Sequence, residues 1–282
     1  MNKSLFYIAL VFLLTLGCTK EVDIELNNEE NSRLVVEGLI TTEQTAHKVR
    51  LTRTSSYFSN QSPPVETGAT VSVSDGTTTF LLSETEPGLY VTDSNVAGEI
   101  GKTYTLNIST TDGEKYTASC ELKQIAHLDS ITVEYVEENY GYMDDPVYFY
   151  VLYLYAFEPP PEGDNYMFNI YLDGKLDNDT MRETPFQNDR AFNGIYLPGI
   201  DFYWIESERI KKDTTRVRVD MLSVTEEHYD YMIALMMETD WGGGIFSGPP
   251  ANVPSNVNNG AVGFFAASAV VSYEFDLVAM RE

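Results

Sequence analysis

The chain has 282 residues, 43% of them hydrophobic, and a formal net charge of −25. That apolar content supports a packed core and excludes wholesale disorder, and at about 150 residues per domain the length suggests two domains. The excess of acid argues against nucleic acid and against electrostatic docking to an anionic lipid surface, and two cysteines are too few for a disulfide scaffold.

Residues 1–18 read MNKSLFYIALVFLLTLGC, with Lys3 followed by an uncharged, mostly apolar stretch from Leu5 to Leu16. A membrane-spanning helix needs roughly 20 apolar residues, so the segment reads as a secretory signal. Gly17 before Cys18 has the form of a bacterial lipoprotein signal, in which the cysteine becomes the lipidated first residue of the mature chain. Thr15 departs from the commonest pattern, and the alternative is a soluble secreted protein cut near Cys18. Residues 18–32 are polar, acidic and free of aromatics, and read as a solvated tether.

Residues 33–124 read as short strands. Val49 and Leu51, Val71 and Val73, and Tyr104, Leu106 and Ile108 each alternate with polar neighbours, and Tyr116, Ala118, Cys120 and Leu122 share one face. Asp75-Gly76, Pro87-Gly88 and Asp112-Gly113 supply turns between such runs. About seven strands are expected, forming a small β-sandwich, with Cys120 a buried and inert thiol.

Residues 125–282 read as a second β-rich domain. Ile131, Val133 and Tyr135 alternate, and VYFYVLYLYAFE (147–158) is apolar on both faces, as for a central strand buried on both sides. Tyr166 to Leu172 lead to a turn at Asp173-Gly174, Val217 to Met221 alternate again, and a last strand is expected within Val262 to Val278. One helix is expected near 224–239, opened by a capping box from Ser223 to Glu226. Tyr229, Met232, Ile233, Met236 and Met237 form its apolar stripe, read as core with an adaptable binding face as the alternative. Residues 240–260, DWGGGIFSGPPANVPSNVNNG, are too rich in Gly, Pro and Asn for helix or strand; they read either as a functional loop or as an Ω-like loop built on its own Asn side chains. The fold class is therefore mainly β: an N-terminal Ig-like or transthyretin-like β-sandwich, then a β-rich domain with one amphipathic helix.

Motifs for chemistry are missing from the sequence. His47, His127 and His228 form no H-E-x-x-H pair, two cysteines leave no paired metal motif, and there is no nucleophile elbow or phosphate loop. Asp173, Asp177 and Asp179 cluster at a turn but lack the Gly and distal Glu of an EF-hand. No enzyme activity, cofactor or metal is expected.

Several segments together resemble a Bacteroidetes family of surface lipoproteins, domain of unknown function 4249. They are RLVVEGLITTE (33–43), GATVSVSDG (68–76), PGLYVT, GKTYTLNIST, the step from Asp112 to Tyr116, HLDSITVEY (127–135) and, most specifically, PPANVPSNVNNGAVGFFAAS (249–268). Lys20-Glu21-Val22-Asp23 similarly resembles the charged export tag of such lipoproteins. The resemblance implies an outer-membrane, cell-surface lipoprotein anchored at Cys18, acting as the accessory partner of a TonB-dependent transporter in nutrient uptake. The alternative is a standalone glycan- or ligand-binding protein, for which an exposed row of aromatics is the distinguishing feature. Trp241, Asn252, Asn256, Asn258, Asn259 and Gly260 are the candidate residues, either touching a partner or building the loop; Tyr140 and Tyr142 are further candidate anchors.

Overall fold

Period-two alternation becomes seven strands in the first half: β1 (Leu34–Thr41), β2 (Lys48–Arg53), β3 (Thr70–Ser74), β4 (Thr79–Glu86), β5 (Leu89–Val91), β6 (Thr103–Ser109) and β7 (Lys115–Glu121). The second half adds β8 (His127–Glu138), β9 (Val147–Phe157), β10 (Asn165–Leu172), β11 (Lys175–Leu176), β12 (Phe186–Asn188), β13 (Tyr196–Glu206) and β14 (Thr214–Val224). Helix α1 (Glu226–Thr239), β15 (Val262–Ser268) and β16 (Val270–Val278) complete the chain. The computed structural model describes residues 32–55, 61–139, 145–239 and 253–280. Cys18, Tyr140, Tyr142, Trp241 and Asn252 lie outside the described residues, as do residues 1–31, which hold the expected leader and nearly all of the expected tether. Residues Arg33–Glu282 form one compact unit.

The first sheet has eight strands in the order β15-β1-β2-β5-β4-β3-β6-β7. Seven are the expected ones. The eighth, β15, comes from the far end of the chain and runs parallel to β1, with Val36 opposite Gly263 and Gly38 opposite Phe265. Residues that the sequence assigns to the second domain thus finish the first sheet, because Phe264 to Ala267 are apolar on both faces and fill the core beside Leu34, Val36, Leu51, Val73, Leu106 and Leu122. Gly263 makes the approach possible: a Cβ there would lie 2.1 Å from the Val36 carbonyl oxygen, and its φ is +96°.

The second core lies between the sheets β13-β9-β8 and β11-β10-β14-β16. Leu128, Ile131, Tyr150, Leu152, Leu154 and Ile205 come from one sheet, and Phe168, Ile170, Val217, Val219 and Met221 from the other. The single last strand expected over 262–278 is two strands. Ala269 breaks it: its N–H donates to Ser223 Oγ at 2.9 Å and its carbonyl accepts from Ser223 N, while Ser223 Oγ donates to the Lys123 carbonyl. β15 therefore serves the first sheet and β16 the second.

Ser223 is consequently not the helix cap. Thr225 fills that place, its Oγ1 accepting from His228 N at 3.2 Å. The expected stripe is also rotated. Met232 is buried but Met237 is 66% exposed, and the contact with β15 is made by His228 and Tyr231, whose rings lie 4.7 and 5.2 Å from that of Phe264. No helix among the described residues is long and apolar enough to cross a membrane.

Replacing Gly263 by alanine should destabilise the chain by more than about 2 kcal/mol, since backbone rather than a flexible side chain occupies the space. A urea titration followed by circular dichroism measures this; a midpoint unchanged from the native chain would contradict the tight parallel pairing.

Candidate functional site

β9 is the central strand of its sheet, as expected, but it is not buried on both faces. Tyr150, Leu152, Leu154 and Ala156 point into the core. On the alternate face Val151 is also buried, whereas Phe149, Tyr153 and Tyr155 are half-buried and Phe157 is 47% exposed. The register places Tyr196 opposite Phe157, Pro198 opposite Tyr155 and Trp204 opposite Val151 on the same face. Tyr196 and Trp204 are 49% and 39% exposed. Phe149 and Trp204 meet edge to face at 5.4 Å, and Trp204 Nε1 donates to Asp201 Oδ2 at 3.4 Å. Tyr155 lies across Gly199, where a Cβ would come within 2.8 Å of its hydroxyl oxygen.

Six rings thus share one sheet face, with outward β9 residues about 7 Å apart. The rim is acidic: Glu134 pairs with Val151 and Asp201 with Tyr153, Asp129 is exposed, and the register places no lysine or arginine on this face. Sequence reading located β9 but missed β13. Pro198, Gly199 and two register shifts, between Pro198 and Ile200 and between Asp201 and Tyr203, interrupt its alternation. The dense aromatics of DFYW were the available signal.

The asparagines of the C-terminal block have a different task. Asn258 N donates to the Thr117 carbonyl at 3.0 Å, and Thr117 N donates to Asn258 Oδ1 at 2.8 Å. Asn256 Nδ2 donates to the carbonyls of Ser119 and Phe265, while its Oδ1 accepts from Phe265 N. Asn259, at φ 55°, donates to Glu114 Oε2 and the Lys115 carbonyl. The Gly260 carbonyl accepts from Arg33 Nε at 2.5 Å. These groups join β7 to β15, the two end strands of the first sheet, so Asn256, Asn258 and Asn259 serve that junction; residues 240–252 of the expected loop lie outside the described residues.

The histidines are dispersed. His47 is buried, with Nδ1 accepting from Thr41 N and Nε2 beside the Val96 carbonyl, and burial holds its pKa down. His228 is pulled down to about 4 by burial. His127 is exposed and lies 2.8 Å from Asp129. Cys120 is a buried free thiol whose pKa burial raises. Two of the three carboxylates near the 173–179 turn are taken up by cations, Asp173 by Lys212 and Asp177 by Arg209, each at 2.7 Å, and Asp179 is exposed.

One acidic group of a different kind lies just beyond β9. Glu158 is 3% exposed, and its Oε1 accepts from the Tyr166 hydroxyl at 2.8 Å. Its carboxylate and those of Asp164 and Asp189 lie within 4.8 Å of one another. Burial, then the charges of Asp164 and Asp189, push the Glu158 carboxyl up to about 7 against the Tyr166 hydrogen bond. Burial and Asp189 likewise raise Asp164. Asp189 uses both oxygens to accept from Gly163 N, at 2.9 and 3.1 Å.

A family model described as Domain of unknown function (DUF4249) matches residues 19–274. No curated protein matches the chain.

Asn256→Ala should cost about 1–3 kcal/mol, because it leaves part-buried Phe265 backbone groups unpartnered, and Asn258→Ala, at an exposed position, about 0.5–1.5 kcal/mol; unchanged urea midpoints would place the junction's strength elsewhere. Glu158 gives a pH signature. Its carboxyl titrates near 4.5 when unfolded and near 7 when folded, so the folded chain holds a proton there that the unfolded chain releases. Its contribution is greatest below pH 4.5 and is lost as pH rises through 7. Glu158→Gln should therefore gain about 1–2 kcal/mol relative to the native chain between pH 5 and pH 8, read from urea midpoints at the two pH values. A pH-independent difference would mean the carboxyl is ionised throughout.

Proposed function

The chain belongs to the DUF4249 family, and from that premise we propose that it is a non-catalytic, lipid-anchored outer-membrane protein that docks to a TonB-dependent transporter as its accessory in nutrient uptake. Cys18 is the anchor point in this reading. The observation that carries it is the aromatic outer face of β9 and β13. Burying a ring typically contributes about 1.5–3 kcal/mol, so rings left half in water on a folded sheet are surface held for a contact. The three strands span roughly 35 by 14 Å, on the order of 500 Å², shared between the rings and polar neighbours such as Thr132, Glu134 and Asp201. That is enough for the central part of a standard contact, which buries about 800 Å² on each partner. Aromatic anchors inside a polar rim are where the binding energy of such contacts concentrates. The acidic rim selects a partner with basic residues around its own apolar centre.

A second reading is favoured by one feature of the same face. Ring faces repeating about every 7 Å along a rigid strand are a stacking platform, so the chain is alternatively a surface glycan binder.

The full-length chain, recovered from native membranes in mild detergent, should bring a transporter with it. Phe157→Ser combined with Trp204→Ala should lower that recovery at least about tenfold while the urea midpoint stays within about 1 kcal/mol of native. Recovery of the native chain alone, under conditions that preserve other transporter complexes, would overturn the docking reading. Transporter recovery untouched by the double variant, together with a shift of Trp204 emission on adding soluble oligosaccharide, would favour the glycan reading.

A further inference from the structure

Beyond the docking face, and sharing only Asp201 with its rim, the second core contains a cavity of about 250 Å³. An apolar cavity of about 150 Å³ already admits benzene, so this one has room for a ring and a short tail. Its walls come from both sheets and from the segment around β12: Leu154, Phe168, Phe186, Phe192, Phe202 and Met221 are the main apolar surfaces. Phe168 and Phe202 meet across the sheets with centroids 4.9 Å apart.

The polar lining is one-sided. Glu158, Asp189 and Asp201 line the cavity and no lysine or arginine does. Asp164 completes the group of three carboxylates within 4.8 Å of one another. The cation nearest in influence is Lys123, which acts on Asp164 and is itself paired with Glu121 at 2.7 Å. Glu158 Oε1 is occupied by the Tyr166 hydroxyl, whereas Oε2 accepts no hydrogen bond among the described residues, although the side chain is more than nine-tenths buried. Gathering carboxylates without a cation is unfavourable unless something positive arrives.

We propose that this cavity binds a small organic ammonium with an aromatic or branched aliphatic body, the body against the phenylalanine walls and the ammonium donating to Glu158, Asp164 and Asp189. An –NH₃⁺ group has three donors and no acceptor, matching three carboxylates. The phenylalanine faces add attraction for the same charge. A divalent cation fits less well: calcium takes six to eight oxygen ligands, and it would leave the apolar chamber unfilled.

The test is calorimetric titration of the full-length chain at pH 8 with 2-phenylethylamine, with 2-phenylethanol as its neutral counterpart, and with calcium chloride alone. The amine should bind at least about tenfold more tightly than the alcohol. Glu158→Gln should remove that preference while leaving the alcohol's affinity unchanged. If that variant fails to fold, Asp164→Asn, at a half-buried position outside the apolar wall, should weaken the amine severalfold. Equal affinity for amine and alcohol, no heat from either, an amine affinity untouched by both substitutions, or displacement of the amine by calcium would each overturn the proposal.

Discussion

The close approach of β15 to β1, and the asparagine bridge from β15 to β7, is the constraint on which the rest of the fold depends. An eight-stranded sheet built from residues 33–124 and 253–268 has two end strands, and open strand edges invite pairing with other chains. Here β7 and β15 are brought together instead. The side chains of Asn256, Asn258 and Asn259 supply donors and acceptors where the two strands do not run in a regular ladder. A primary amide suits this work because it carries both a donor and an acceptor group. Gly263 is the steric counterpart, since any side chain would drive β15 off the Val36 backbone. The first core therefore cannot be finished until the C-terminal end of the chain is in place, and Arg33 fastens the start of β1 to Gly260 across that long separation.

From this arrangement follows the division of labour in the second half. Ser223 and Ala269 form the joint at which the chain leaves the first sheet and enters the second. With β15 committed elsewhere, the second core is left with β13-β9-β8 on one side and β10, β14 and β16 on the other. β8, β9 and β13 cover one side of that core, and on their outer face Phe157, Tyr196 and Trp204 are exposed. β9 then reads as two strands in one. Tyr150, Leu152, Leu154 and Ala156 are core, whereas Phe149, Tyr153, Tyr155 and Phe157 face outward around a buried Val151. The same alternation that turns Phe157 outward turns Glu158 inward, to the acidic end of the cavity. One strand thus supplies both the proposed docking face and one wall of the proposed amine site.

Local physics was legible in the residues. The strands around Val71, Leu106 and Ala118 follow from alternation, because a pleated strand with one wet face must alternate. Asp173-Gly174 adopts positive φ at both positions, as a two-residue hairpin turn requires. Where alternation was broken, reading failed: β13, with Pro198, Gly199 and its register shifts, left no periodic trace. Ser223 and Thr225 are both chemically suited to cap a helix, and the choice fell to Thr225 because the Ser223 hydroxyl was already engaged by Lys123 and Ala269.

Composition and periodicity determined by themselves that this is a mainly β chain with one helix, where most strands and turns lie, and that Cys120 is a core thiol. Tertiary structure alone decided which sheet each strand joins, that 262–278 divides between two sheets, that the aromatics of 147–158 line a surface as well as a core, and that Glu158, Asp164 and Asp189 converge. The reason is physical. Alternation and turn chemistry act between neighbours in sequence, whereas pairing partners, exposed faces and shared cavities depend on contacts between residues tens to hundreds of positions apart.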